Sequence, residues 1–227
     1  MSGEFVIRPI AHIESDFREK FGIPRQAGIV GELEARIIFE PEYRAADAIR
    51  GIEGFSHLWL IWQFSAAVRD TWSPTVRPPR LGGNERVGVF ATRSPFRPNA
   101  IGLSSVRLHR VEYGTPEGAV LHVSGADLMD GTPIFDIKPY LAYTDSHPEA
   151  SGSFALAGDA VRVECAEGVL DALPQEKRET LLRVLAQDPR PGYQHEAGRV
   201  YGFPFGGFEV RFTVADGVLT VLSAEKV

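Results

Sequence analysis

The chain has 227 residues, about one and a half typical domains, and its ordinary composition, 44% hydrophobic and 24% charged, excludes wholesale disorder. The formal net charge of −6 argues against a protein that coats nucleic acid by bulk attraction, and the single cysteine excludes a disulfide framework. We expect a soluble, cytoplasmic protein without membrane contact, because no apolar run approaches the roughly 18 residues of a membrane span and the first residues lack the features of a secretory signal.

The first two thirds of the chain predict mainly β-structure. The run 57–64, HLWLIWQF, is apolar on both faces, which predicts a central, fully buried strand. Residues 43–50 predict a short helix, introduced by Pro41 and stopped by Gly51. Strands at this spacing with little intervening helix favour a sandwich or a barrel over a doubly wound fold. The other expected strands are 5–13, 33–39, 87–92, 101–111 and 119–125.

The composition changes after residue 143, and the Ser-, Pro-, Gly- and Ala-rich stretch 144–158 predicts a linker. Residues 174–187 predict one amphipathic helix, which ends where Asp188 precedes a proline. The remaining expected elements are a strand at 161–165, which ends in Cys165, and three strands of a small meander, 201–205, 208–214 and 218–222. The sequence therefore predicts a mainly β unit over 1–145 and a small α+β unit over 146–227.

Familiar catalytic signatures are missing, including the glycine-rich nucleotide motifs and paired metal-binding histidines, so no metal site is expected. Two proline-rich loops, 71–84 and 91–102, stand out instead because they concentrate arginine. One interpretation is a surface loop with solvated charges. The other is a rigid loop that presents guanidinium groups to carboxylate or phosphate. Residues 76–98 contain one acidic residue, Glu85, and five arginines: Arg77, Arg80, Arg86, Arg93 and Arg97.

Polar residues of a third stretch, 125–143, alternate along an expected strand. Asp136, Lys138 and Tyr140 should project to one face, because successive side chains of a strand point to opposite sides. An exposed strand face with an Asp–Lys ion pair is one interpretation, and an acid–base site is the other. A fourth stretch, 19–28, sets Arg25 and Gln26 in a turn that by itself resembles any other turn.

Seven strings, in this order, resemble the TsaA-like (TrmO) family: EKFGIPRQ, GIEGFSHLWLIWQF, TVRPPRLGGN, GVFATRSPFRPN, IGLS, DLMDGTP and DIKPYLAY. The tail LLRVLAQDPRPGY is similar to the C-terminal extension of its bacterial members. The resemblance implies a β-barrel with a small α+β C-terminal domain. It also implies a homodimer that uses S-adenosylmethionine to methylate N6 of the threonylcarbamoyl-modified adenosine 37, beside the anticodon of tRNA.

The same resemblance implies which residues contact the methyl donor. One further donor position follows the apolar strand, where family members often carry Phe-His or Phe-Asp. This chain has Ser65 and Ala66 after Phe64, which puts a side-chain role in doubt but leaves a backbone contact open. The other implied donor contacts are Pro24, Arg25, Gln26, Arg93, Leu103, Asp130, Gly131, Thr132 and Pro133.

Methylation of an exocyclic amine needs a group that takes up a proton, because the N6 lone pair is delocalised into the ring. Our candidates are Asp136 and Tyr140, with Lys138 orienting or tuning them. Two alternatives stay open: a non-catalytic RNA-binding barrel, which the Ser65-Ala66 departure favours, and a small-molecule methyltransferase on the same barrel. The arginines that we expect to bind phosphates of the anticodon stem-loop are Arg77, Arg80, Arg86 and Arg97.

Overall fold

The computed structural model describes residues 3, 5–78, 81, 85–154, 160–190, 196 and 198–227. None of the helices within these ranges combines the length and the apolar composition needed to cross a lipid bilayer. The helices are α1 (Ala142–Asp145) and α2 (Gln175–Ala186). The strands are β1 (Ala11–Glu14), β2 (Glu34–Phe39), β3 (His57–Gln63), β4 (Thr75–Val76), β5 (Val87–Gly88), β6 (Ile101–Thr115), β7 (Gly118–Ser124), β8 (Pro133–Pro139), β9 (Arg162–Cys165), β10 (Val200–Phe205), β11 (Phe208–Ala215) and β12 (Val218–Lys226).

Six strands close into a barrel in the order β1-β2-β7-β6-β3-β8, which confirms the barrel expected from the resemblance. Every neighbouring pair in the barrel is antiparallel. The connections β1–β2, β3–β6 and β7–β8 therefore all emerge at the same end of the barrel. We call this the loop end, and it carries the proline- and arginine-rich stretches of the sequence.

Alternation along the strands separates the barrel interior from its outer face. Leu58, Leu60 and Trp62 of β3 are buried in the interior. Trp59 and Ile61, which lie between them, are half-buried on the outer face. The expectation that this strand is fully buried is therefore wrong. The barrel interior excludes water from one face of each strand, but no second layer covers the outer face completely.

Three other expected elements differ from the structure. The helix expected over 43–50 is wrong, since the backbone makes short 3₁₀ turns at 41–43, 46–49 and 52–54. Ala45 has an extended ψ of 119° and interrupts any continuous helix. The strand expected over 5–13 begins only at Ala11, where β2 and β8 flank it, while Phe5 is 92% exposed. The strand expected over 87–92 shortens to β5, followed by a 3₁₀ turn.

The C-terminal unit is a four-stranded sheet in the order β10-β11-β12-β9 with α2 beside it. The predicted helix and meander are confirmed within one or two residues at most ends, because Pro174 precedes the first turn and glycines make both hairpin turns. The strand β9 pairs in parallel with β12, so no hairpin turn joins it to its neighbour in the sheet. Leu181, Val184 and Leu185 of α2 are buried in the core of this unit.

The long connection between β1 and β2 belongs to the core of the C-terminal unit. Phe17 is 1% exposed, and its ring meets that of Phe205 edge-on with 5.4 Å between centroids. Phe21 packs against Phe203 in the same manner at 6.0 Å. Gly22 has a φ of +95°, and a Cβ there would lie 2.4 Å from the Phe203 ring, so only glycine fits this close approach. The barrel and the C-terminal unit are thus joined by a shared aromatic core.

Gly102 of β6 tests how tightly the barrel interior is packed. A Cβ at this position would lie 2.3 Å from the Trp62 indole. We expect Gly102→Ala to lower the free energy of unfolding by about 1–3 kcal/mol, because a buried indole must shift to admit the methyl group. Urea denaturation measures the loss. Gly88→Ala is the matched control, since nothing lies within 4 Å of a Cβ there, and equal stability of the two variants would contradict the prediction.

Candidate functional site

The loop end of the barrel gathers most of the expected donor contacts. Pro24–Gln26 lie in the β1–β2 connection, Arg93 lies in the β3–β6 connection, and Asp130–Thr132 lie in the β7–β8 connection. Backbone hydrogen bonds tie these connections together, as from Gly28 N to Gly125 O at 2.8 Å and from Gly131 N to Ile13 O at 2.8 Å. The topology brings residues more than 100 positions apart to one end of the fold.

The side chains of the β1–β2 connection face in two directions. Pro24 is buried, and the half-buried Gln26 accepts a hydrogen bond at Oε1 from Arg93 Nη1. Arg25 instead donates from Nη2 to the carbonyl oxygen of Arg190 at 3.1 Å, just beyond α2. The loop expected to hold the methyl donor therefore contacts the other arginine loop on one side and the C-terminal unit on the other.

The Asp130-Gly131 turn is fixed to the end of β1. Asp130 Oδ1 accepts a hydrogen bond from the backbone nitrogen of Ser15 at 3.0 Å, and Asp130 N donates to the Phe17 carbonyl at 2.7 Å. Gly131 has a φ of +72°, which glycine adopts without strain. Thr132 is buried and Pro133 begins β8. The turn leaves the Asp130 carboxylate exposed at the loop end.

Ser65, Ala66 and Leu103 stand where β3 ends and β6 begins. Ser65 and Ala66 are exposed in a 3₁₀ turn, held next to β6 by the hydrogen bond from Phe64 N to Ala100 O at 2.8 Å. Leu103 points outward from β6 and is 59% exposed, which is unusual for a leucine in a strand. These positions therefore line the outer edge of the loop end.

The expected acid–base residues lie on the outer face of β8. Asp136 Oδ2 and Lys138 Nζ form an ion pair at 2.8 Å, so the ion-pair interpretation of this face is realised. Tyr140 follows the strand and packs against Trp59, with ring centroids 5.4 Å apart. The β8 register shifts where it meets β3 between Ile61 and Trp62, and this bulge turns Asp136 outward.

An open cavity of about 320 Å³, in the volume range of small-ligand sites, lies on this outer face, and Leu103 is the expected donor contact in its lining. In the register of the sheet, Leu103, Ile61 and Asp136 form one row across β6, β3 and β8. Because neighbouring strands are about 4.8 Å apart, the backbones of Leu103 and Asp136 are about 10 Å apart. The residues lining the cavity are Trp59, Ile61, Leu103, Lys138, Thr144, Asp145 and His147.

Asp145 closes one side of the cavity and is held as an anion. It accepts hydrogen bonds at Oδ2 from the backbone nitrogen of Leu141 at 2.9 Å and from Trp59 Nε1 at 2.8 Å. These bonds, that from Leu141 first, hold the pKa of the Asp145 carboxyl below its ordinary value. The described part of the chain holds no group of three His, Cys, Asp or Glu side chains that could bind a metal ion.

The arginines expected to bind phosphate differ in their surroundings. Arg77 and Arg86 are exposed on either side of the β4–β5 hairpin. Arg97 is half-buried and donates from Nη1 to the carbonyl oxygens of Thr92 and Ser94, so it also holds its own loop. Arg80 lies outside the described residues.

Asp127 is a residue that the sequence interpretation missed. Its Oδ1 accepts a hydrogen bond from Ser104 Oγ at 2.5 Å, and Ser104 Oγ accepts one from Trp62 Nε1 at 2.9 Å. Burial raises the pKa of the Asp127 carboxyl, although Ser104, the backbone nitrogen of Ala27 and the Arg93 guanidinium act in the opposite direction. This carboxyl thus lies between the barrel interior and the loops that carry Ala27 and Arg93.

Two family models match the chain in succession. The tRNA-methyltransferase O N-terminal domain matches residues 12–146, and the TrmO C-terminal domain matches residues 159–227. The chain belongs to the TrmO family.

Two curated relatives and a solved structure are similar to most of the chain. The tRNA (adenine(37)-N6)-methyltransferase of Escherichia coli strain K12 is 44% identical over 97% of this chain and 98% of its own length. The enzyme of the same name from Eikenella corrodens is 45% identical over 74% of this chain and 95% of its own. The crystal structure of TrmO from Pseudomonas aeruginosa superposes with a TM-score of 0.77 at 33% identity, covering 98% of this chain and 99% of that one.

The Asp127→Asn variant tests the burial of the Asp127 carboxyl at the loop end of the barrel. A raised pKa in the folded state means that the stability contributed by this group is full below its ordinary pKa of 3.8 and is lost as pH rises through the raised value. From about pH 3 to about pH 7, we therefore expect the wild type to lose free energy of unfolding relative to Asp127→Asn. Urea denaturation of both proteins across this range measures the difference.

Ser104→Ala provides the control for this measurement. It removes a hydrogen bond that lowers the pKa of Asp127, so the loss of stability should move to higher pH. A pH profile that is the same for the wild type and Asp127→Asn would show that the carboxyl is not perturbed in the folded protein.

Proposed function

We propose that the chain methylates N6 of adenosine 37 in tRNA when that adenosine carries a threonylcarbamoyl group, with the donor at the loop end and the base in the outer-face cavity. The family membership makes the chain a tRNA (adenine37-N6)-methyltransferase that uses S-adenosylmethionine. A further relative from Pseudomonas aeruginosa, 41% identical over 91% of this chain, is described as a candidate S-adenosylmethionine-dependent methyltransferase. The observation that carries the proposal is the cavity that holds both Leu103 and Lys138.

The residues of the loop end fit the chemical groups of S-adenosylmethionine. The exposed guanidinium groups of Arg25 and Arg93 suit a carboxylate. The exposed Asp130 carboxylate suits an ammonium or hydroxyl group, and the exposed Leu103 side chain suits an apolar surface. When bound, S-adenosylmethionine supplies an electrophilic methyl group that is already activated, so these residues act mainly by alignment.

The outer face supplies what the acceptor requires. The indole of Trp59 offers a flat wall to an adenine base, because its Nε1 is engaged by Asp145 and its orientation is thereby fixed. As the new N–C bond forms, the N6 nitrogen must release a proton. The methyl–sulfur bond would break as the N–C bond forms, which leaves a neutral thioether, and the N6 proton would pass to the Asp136 carboxylate or to the phenolate form of Tyr140. Lys138, paired with Asp136, orients the carboxylate.

The tRNA is bound, in this proposal, through its anticodon stem-loop and phosphates. Arg77 and Arg86 lie on the same side of the fold as the donor loops, and Arg93 and Arg97 are close to them in the chain. A concentration of arginine in a chain with a net charge of −6 favours a local polyanion site over bulk attraction. We infer the cytoplasm as the place of action, since the substrate is tRNA.

We also infer a homodimer. Ile101 and Leu103 are 37% and 59% exposed on the outer face, next to the half-buried Ile61. A contiguous apolar row on the outer face is typical of an interface. A two-fold contact centred on Ile101 would cover this end of the row from both protomers and leave Leu103 and Ile61 open to the cavity beside the interface.

The proton-accepting group is identified by two substitutions. We expect Asp136→Asn or Tyr140→Phe, whichever removes the base, to lower kcat by about 10²- to 10⁴-fold while the Kd for S-adenosylmethionine stays unchanged. Single-turnover transfer of a labelled methyl group to tRNA with and without threonylcarbamoyladenosine measures the chemistry, and calorimetry measures donor binding. Arg93→Ala should show the reverse, with weaker donor binding.

Glu112→Gln is the matched control, because it makes the same carboxylate-to-amide change on β6 far from the loop end. Full activity of both Asp136→Asn and Tyr140→Phe would exclude these residues as the base. Equal methylation of tRNA with and without the threonylcarbamoyl group would contradict the proposed substrate.

The dimer proposal is tested by a charge in the apolar row. We expect Ile101→Arg to convert the dimer into monomers, because two-fold symmetry would bring two buried guanidinium groups together. Sedimentation velocity measures the mass. Val200→Arg is the control, since Val200 is 55% exposed on the C-terminal sheet. A monomeric wild type would contradict the inference.

A further inference from the structure

An exposed aromatic pair stands at the base of the β4–β5 hairpin. Trp72 is 52% exposed and Phe90 is 71% exposed, and their ring centroids are 6.0 Å apart at an interplanar angle of 32°. The pair forms because the backbone segments before β4 and after β5 lie side by side, with Val89 N donating to Pro74 O at 2.9 Å. Neither residue belongs to either hydrophobic core. The packing of the fold therefore does not account for two large rings at this place.

The described charged residues of the segment that holds the pair are three arginines and two acids. Arg77 and Arg86 follow β4 and precede β5, and Arg69 lies over the Phe96 ring, with Cζ 3.7 Å from the centroid. Asp70 and Glu85 are the acids in the described residues of this region. The surface thus combines flat apolar groups with guanidinium groups, the combination that binds single-stranded nucleic acid by stacking and phosphate contact.

The Trp72–Phe90 pair is close to Arg93, one of the residues proposed to bind the donor. Phe90 and Arg93 are three residues apart, so their Cα atoms are separated by no more than about 11 Å. Arg93 in turn contacts Gln26 of the β1–β2 connection. With the donor bound beside Arg93 as proposed, a nucleotide next to the target adenosine lies within reach of the two rings.

We propose that Trp72 and Phe90 form a stacking site for an unpaired base next to the target adenosine, with Arg77 and Arg86, at the other end of the hairpin, on phosphates further along the strand. This inference rests on the proposed function and adds a base-binding site to it. Unpaired loop bases are recognised by stacking on aromatic side chains, which is sequence-tolerant because every base has a flat π-face.

A second copy of the chain is the less favoured partner for the surface around Trp72 and Phe90. A two-fold contact sets the same patch of both protomers against itself. The arginines flanking the Trp72–Phe90 pair would then face the same arginines of the other copy, and this like-charge contact opposes association. RNA, in contrast, brings phosphates to these guanidinium groups.

The test measures binding of the full-length protein to a synthetic anticodon stem-loop RNA over a range of salt concentrations. We expect Trp72→Ala and Phe90→Ala each to weaken binding by roughly 5- to 150-fold, with an unchanged slope of log affinity against log salt. The double variant Arg77→Ala/Arg86→Ala should instead reduce the slope by about 1.4, because two phosphate contacts to a single strand are lost. Trp72→Phe keeps a ring and should retain most of the affinity.

Tyr113→Ala is the matched control, since Tyr113 is a 51% exposed aromatic toward the far end of β6. Wild-type affinity in the Trp72→Ala/Phe90→Ala double variant would overturn the inference. A changed sedimentation coefficient with unchanged RNA binding would assign the surface to a second copy and would overturn it as well. Failure of the proposed function is distinguishable, because it appears as absent methyl transfer by the wild type, whatever the stacking variants do in binding.

Discussion

The insertion of Phe17 and Phe21 into the C-terminal sheet is the contact on which the rest of the architecture depends. Full burial of a large apolar side chain such as Phe17 contributes about 1.5–3 kcal/mol, and the half-buried Phe21 contributes less. The two rings meet Phe205 and Phe203 in a core built mostly from β10–β12 and α2. The Lys177–Asp16 ion pair and the hydrogen bond from Gly206 N to Asp16 O reinforce the junction. Residues 24–26, expected to hold the methyl donor, are thereby positioned by both units at once.

Much of the fold was predictable from local patterns. The helix over 174–187 and the meander after it were predicted closely, because proline, glycine and leucine spacing act within a few residues. Two other predictions were wrong for a non-local reason. Whether the outer face of 57–63 is covered, and whether 5–10 finds a partner strand, depends on barrel closure between segments far apart in the chain.

The candidate site was also predictable in part from the sequence. Motif strings and the resemblance singled out residues that the antiparallel barrel places at one end, including Arg93, Asp130 and Ser65. Asp127 was missed because nothing in the string DLMDGTP shows that its first carboxyl meets Ser104 beneath a loop from residues 24–28, whereas its second forms the turn. Such convergence is a property of closed topology, which places the end of β7 beside the start of β6.

The shared aromatic core has a consequence for the order in which the chain acquires its structure. All barrel strands are complete by Pro139, so the barrel can close during synthesis. The partners of Phe17 and Phe21 are translated much later, and the Lys177–Asp16 pair alone spans 161 residues. Contacts of such high separation form last. A nascent barrel therefore keeps its first long connection, which carries residues 24–26, without its final packing partners until the last strands emerge from the ribosome.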